Sequence, residues 1–172
     1  MTNAFRTIIP FVAFAAGIAL RADAPPAKDQ AAPPATTDLT ITFVDDLSRS
    51  STENFYFDHL DIAFHKAIAK RKWPVTLHVE RFAANPPAHE NELQVFFKGI
   101  KPEERDDLTF RAWLTFDGPA GKKDFGILRY QYYPRAAETM DDSVTKIMRE
   151  VADQSLDKIE SLLFPAGRPG KS

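Results

Sequence analysis

The chain has 172 residues, no cysteine and a formal net charge of −2. Those facts exclude disulfides, thiolate metal sites, a cysteine nucleophile, a cysteine-linked lipid and a general affinity for polyanions such as nucleic acid. The length fits a single domain, and 14 phenylalanines beside the aliphatic residues supply an ordinary core.

Residues 1–24 have the pattern of an export signal. Arg6 supplies a positive start, Ile8 to Leu20 an apolar run, and Ala22-Asp23-Ala24 a small-x-small cleavage pattern. The run is shorter than the roughly 20 residues that a bilayer-spanning helix needs. The expectation is a cleaved signal and an exported, periplasmic or extracellular protein with no transmembrane span after cleavage. Because a proline follows the cut and Arg21 lies close after the run, an uncleaved membrane anchor is the alternative. Residues 25–37 are rich in proline and alanine and read as a linker. A single folded domain is expected over 38–165, and a flexible tail over 166–172.

Leu39, Ile41 and Phe43 alternate with Thr40 and Thr42, which predicts a strand ended by Asp45-Asp46. A polar connection follows, and its hydroxyl-rich part at 48–52 is read as a loop, since no G-x-S-x-G pattern surrounds it. An amphipathic helix is predicted over Asn54–Lys72, with Phe57, Leu60, Phe64, Ala67 and Ile68 on one face. Asn54 or Asp58 would be its N-cap, the competing local pattern being a short strand at Phe55-Tyr56-Phe57 before a later helix start. Lys70, Arg71 and Lys72 suit the negative helix end, and Pro74 stops it.

Val75, Leu77 and Val79 then alternate with Thr76, His78 and Glu80 in a second strand. The Asn85-Pro86-Pro87 segment is a loop. Leu93, Val95 and Phe97 share the inner face of a third strand, whose polar face Phe96 interrupts. A charged turn over 101–107 leads to the cleanest alternation, Leu108, Phe110, Ala112, Leu114 and Phe116 against Thr109, Arg111, Trp113 and Thr115. Asp117 to Gly121 is turn-forming. The last strand, Phe125 to Tyr133, has Leu128, Tyr130 and Tyr132 opposing Phe125, Ile127 and Tyr133, so its inner face stays open; its tyrosines read as strand packing.

The closing element is a helix over Met140–Leu163. Met140, Val144, Ile147, Met148, Val151, Ser155, Ile159 and Leu162 share a face that Ala152, Leu156 and Leu163 widen. Thr139 would cap it, with Asp141 and Asp142 in the first turn, and Pro165 and Gly167 would stop it. A face that broad needs a partner layer. The predicted fold is therefore an α+β two-layer sandwich, β-α-β-β-β-β-α, with a mostly antiparallel sheet and both helices on one face. An all-β barrel is the runner-up and would leave two amphipathic helices unexplained.

Two polar constellations stand out. Asp58, Asp61 and His65, with His59 among them, lie at one-turn spacing, and carboxylates with imidazole ligate divalent ions or form acid/base pairs. The competing account is a capping acid, an i,i+4 pair and surface histidines. The second constellation is the outward row of the sheet: Thr76, His78, Glu80, Arg111, Trp113, Arg129 and Gln131. An exposed aromatic in a polar row anchors contacts, or it shields cross-strand pairs. No residue pattern calls for a cofactor, and no catalytic residue is assigned.

The element order together with the export signal resembles the small α+β accessory proteins of the bacterial envelope, including lipopolysaccharide-assembly and transport-auxiliary lipoproteins. The resemblance covers 38–163 as a pattern of elements and includes no specific motif. It departs at lipidation, for which this chain has no cysteine. It implies two helices against one sheet and action by binding partners. The function expected is a non-enzymatic envelope binding or assembly module with a protein partner, working through the polar sheet face or an exposed strand edge. The alternatives are a small secreted metal-assisted hydrolase built on Asp58, Asp61 and His65, and a small-ligand carrier with a cavity between sheet and helices.

Overall fold

The computed structural model describes residues 36–45, 52–103 and 107–167, with the side chains of 52–54 excepted. The expected signal, nearly all of the linker and of the tail, the 48–51 run and the middle of the charged turn lie outside those residues. Seven elements follow in the expected order: β1 (Thr37–Asp45), α1 (Thr52–Arg71), β2 (Val75–Phe82), β3 (Glu92–Pro102), β4 (Leu108–Asp117), β5 (Lys123–Tyr132) and α2 (Met140–Leu163).

The strands form one sheet in the order β2-β1-β3-β4-β5. β1 is parallel to β2 and to β3, whereas β3, β4 and β5 are antiparallel neighbours. The sheet is therefore mixed, with antiparallel pairing confined to β3, β4 and β5. The reason is the connection over 83–91. β2 and β3 run the same way with β1 between them, so the chain must return the length of β2 before β3 begins. An eight-residue strand spans about 26 Å, and the extended connection reaches roughly 30 Å. Its prolines and the positive φ of Asn85 and Asn91 fit an extended, turn-bounded return better than a hairpin.

Alternation on each strand sends one set of apolar side chains toward the helices. Leu39, Ile41 and Phe43 of β1, Leu93, Val95 and Phe97 of β3, and Phe110, Ala112, Leu114 and Phe116 of β4 are all buried there. The Phe97 ring lies 5.2 Å from Phe43 and 5.5 Å from Phe110, centroid to centroid. The helices contribute Leu60, Phe64, Val144, Ile147, Met148, Val151, Leu156 and Ile159. Burying each of the larger side chains stabilises the fold by about 1.5–3 kcal/mol. Trp73, just past α1, joins this core edge-on to Phe164.

Thr139 caps α2 as expected. Its hydroxyl accepts from the Asp142 amide at 3.1 Å, and the Asp142 carboxylate accepts from the Thr139 amide at 3.3 Å, forming a capping box. The buried face of α2 is shifted slightly from its expected position. Met140 is exposed and Leu162 half-buried, while Ser143 is buried with its hydroxyl 3.0 Å from both Glu138 and the Thr139 carbonyl. α1 begins at Thr52, so Asn54 and Asp58 lie inside it and neither is an N-cap; Phe55-Tyr56-Phe57 is helical. Contiguous aromatics hid the helical period there. Phe57 is half-buried, at the margin of the face.

The two helices run in the same direction. His59 meets Asp141 and Thr145 near their starts, and Arg71 meets Asp153 and Asp157 further along. A buried carboxylate ties α2 to the sheet. Glu138 accepts from the Tyr132 hydroxyl at 2.6 Å, the Lys146 ammonium lies 3.0 Å away, and the Arg135 amide donates at 3.3 Å. The Tyr132 hydrogen bond first, then Lys146, the Arg135 amide and Ser143, hold its carboxyl at about 2.

Candidate functional site

The face of the sheet away from the helices is built by register. Val44 pairs with Phe82 on one side and Phe96 on the other, Phe96 pairs with Trp113, and Trp113 pairs with Ile127. One apolar residue from every strand therefore lines up at a single level, Phe82–Val44–Phe96–Trp113–Ile127. Adjacent strands lie about 5 Å apart, so these five side chains form a continuous row across the sheet.

Polar residues flank the row on both sides. On one side, the Thr42 hydroxyl donates to Glu92, Gln94 donates to the other oxygen of Glu92 at 3.0 Å, and Thr115 donates to Gln94 at 3.3 Å. These side chains satisfy one another, as buried and half-buried polar groups must. On the other side, Glu103 receives both Arg111 and Arg129 at 2.9 Å, and Gln131 donates to the buried Asp107. The cations beside the row are thus held in place by one shared carboxylate and are about half exposed.

The two halves of the face differ in access. The returning segment over 83–91 crosses the β2 side, where His89 Nε2 sits 3.3 Å from Glu80 Oε2. Thr40 and Thr42 beneath this side are buried. Toward β5 nothing described covers the sheet. From β1 toward β5 the exposure of the row rises, from 6% at Val44 to 39% at Trp113 and 65% at Ile127. The exposed end of the row lies on β5, which among the described residues is an edge strand of the sheet.

The residues picked out from the outward row all lie on this face, in separate places. His78 and Glu80 belong to β2, where His78 is 3.9 Å from Asp38 and Glu80 faces His89. Arg111 on β4 and Arg129 and Gln131 on β5 form the other group, with two strands, β1 and β3, between the two groups, and Trp113 stands beside the second group. Phe82, Val44, Phe96 and Ile127 were missed. Phe96 and Trp113 were visible as apolar exceptions on polar faces, but their adjacency is a matter of pairing register. Ile127 was masked by a bulge: Gly126 has φ +69°, its amide donates to Asp124 at 2.8 Å, and the register shifts there. The bulge lets Phe125 turn inward with Leu128, Tyr130 and Tyr132 while Ile127 points out.

The helix constellation separates. His65 Nδ1 lies 2.9 Å from Asp61 Oδ1 in an exposed i,i+4 pair, and Asp58 is exposed. His59 turns the other way, with Nε2 3.1 Å from Asp141 and Nδ1 3.1 Å from Thr145. Among the described residues, no group of three or more His, Asp or Glu side chains is placed to hold a metal ion. Also among them, no helix is long and apolar enough to cross a membrane.

The chain matches no family model and no curated protein sequence. Solved structures with a similar course include a PelC dodecamer from Paraburkholderia phytofirmans, at 8% identity and a TM-score of 0.44 over 71% of this chain and 90% of that one. Rare lipoprotein B from Shewanella oneidensis gives 12% identity and a TM-score of 0.35 over 73% of this chain and 96% of that one. A minor lipoprotein from Acinetobacter baumannii gives 12% and 0.29 over 71% and 94%. At these values the likeness carries no argument about function.

Proposed function

We propose that this chain is an exported, non-enzymatic binding module that contacts a protein partner in the cell envelope through the β4–β5 side of the open sheet face. The observation that supports this most is the apolar row, which is most exposed at Trp113 and Ile127. An apolar residue on the open face of a sheet gains nothing from the core, and a Trp–Ile pair with two arginines on one side and Thr115 on the other has the composition of an interface centre with a polar rim. A partner seated on Ile127 also reaches the outer edge of β5, which no described strand covers and where it can add a strand by backbone hydrogen bonds. In this proposal residues 1–24 are the export signal, 25–37 the linker between the signal and the folded part, and 38–165 the binding domain. Arg111, Arg129 and Gln131 frame the contact, while His78 and Glu80 lie at its far margin, Glu80 against the returning segment.

Site-specific photo-crosslinking in the exporting cell tests this. A photoreactive residue replacing Ile127 is expected to give a discrete envelope adduct, and one replacing the exposed Ser161 on α2 is not. No adduct at 127, or equal adducts at both positions, overturns the proposal.

A further inference from the structure

A second surface lies on the opposite side of the molecule and owes nothing to the sheet. Because α1 and α2 run in the same direction and are pinned together near His59 and at Arg71, a groove of about 450 Å³ is left between the pins. Its lining comes from the helices alone and is mainly Ile62, Ala63, Lys66, Ala67, Lys70 and Arg149. Ala63 and Ala67 keep the floor low where longer side chains would fill it, and Ile62 stands half exposed along one wall. The volume falls within the range of small-molecule sites.

The charges of the groove are unbalanced. The carboxylate of Asp153 at its end is already taken, 2.9 Å from Arg71 and 3.9 Å from Lys70. His59 is engaged on both ring nitrogens. Lys66 and Arg149 rise from facing walls with no ion-pair partner among the described residues. An apolar floor between two uncommitted cations fits a molecule with a hydrocarbon body and an anionic head. Arg149 offers a planar fork that matches a carboxylate, and Lys66 a second donor from the opposite wall.

We propose that this groove binds an anionic amphiphile, a long-chain carboxylate whose hydrocarbon lies on Ile62, Ala63 and Ala67 and whose head is held between Lys66 and Arg149. The site shares no residue with the open sheet face, so either proposal can fail while the other stands. It also places a carrier function between the helices, outside the sheet–helix core.

The probe is laurate below its micelle concentration, titrated calorimetrically into the full chain. Saturable binding at one site per chain is expected, weakened tenfold or more in Lys66→Glu/Arg149→Glu and in Ile62→Glu, and unchanged in Trp113→Ala. Lys66 and Arg149 are exposed cations and Ile62 is half exposed, and equal thermal midpoints establish that the variants are folded. Dodecyltrimethylammonium and acetate, which keep the tail or the head alone, are expected not to bind at laurate concentrations that saturate. Equal binding of laurate to wild type and to the variants, equal binding of the cationic amphiphile or of acetate, or no binding of laurate overturns the proposal. Self-association of the chain that the same double variant abolishes would assign the groove to a second copy and overturn it as well.

Discussion

The covered and open faces of the sheet are built from the same strands by the same alternation, yet an apolar side chain has opposite meanings on the two. On the covered face Phe110 lies under the helices, wholly buried, and its contacts are accounted for by folding. On the open face Ile127 is 65% exposed in a row that the polar residues around it do not cover. The first kind of residue should be expensive to remove and silent in binding. The second should be cheap to remove and decisive in binding. That asymmetry, more than the identity of any one residue, separates the part of the molecule that makes the fold from the part that uses it.

The comparison can be broken most severely from the covered side. Phe110→Ala is expected to cost about 3–5 kcal/mol in urea unfolding, because it empties a site ringed by Phe97 and the helix layer. A cost near that of a surface substitution would mean the core is not where the strands place it.

Next in size is Glu138, whose carboxyl is held at about 2, chiefly by the Tyr132 hydroxyl. A depressed carboxyl contributes stability that is fully present above its ordinary value of 4.5 and lost as pH falls toward 2. Glu138→Gln should therefore lower the thermal midpoint at neutral pH, and the difference from wild type should shrink between pH 4.5 and pH 2. A difference that stays constant over that window would remove the carboxylate from the account of how α2 is tied to β5. Smaller again is Thr139→Ala, which loses the capping box at the start of α2 and is expected to cost about 1 kcal/mol by the same unfolding measurement. At the open face, Ile127→Asp should change stability by about 0.5 kcal/mol or less. A loss of several kcal/mol there would mark the row as part of the core and not as a contact surface.

How much of this was legible in the sequence depended on whether the signal was local. The closing helix was readable almost residue by residue, because its 3.6-residue period, the Thr139 cap and the Pro165 stop all lie within one segment. Strand β4 was equally plain by period two. The start of α1 was not, since Phe55, Tyr56 and Phe57 in succession carry neither period. Strand order was out of reach because it turns on the direction taken by residues 83–91, which a proline-rich composition leaves open. Spacing alone grouped His59 with Asp61 and His65, and the packing of α1 on α2 drew it away toward Asp141 and Thr145. The apolar row was half visible. Phe96 and Trp113 showed as exceptions to alternation, but only the pairing register set them side by side, and the Gly126 bulge reversed the parity that would have marked Ile127 as outward.

The most direct test of the open face as the contact surface is adduct yield from a photoreactive residue at Thr115, one level from the row, in cells exporting either the otherwise unaltered chain or the Trp113→Ala/Ile127→Asp variant. With thermal midpoints within a few degrees of each other, the variant is expected to give at least tenfold less of the envelope adduct. An unchanged yield from a folded variant would show that the partner does not sit on the row, and would contradict the role assigned to this face.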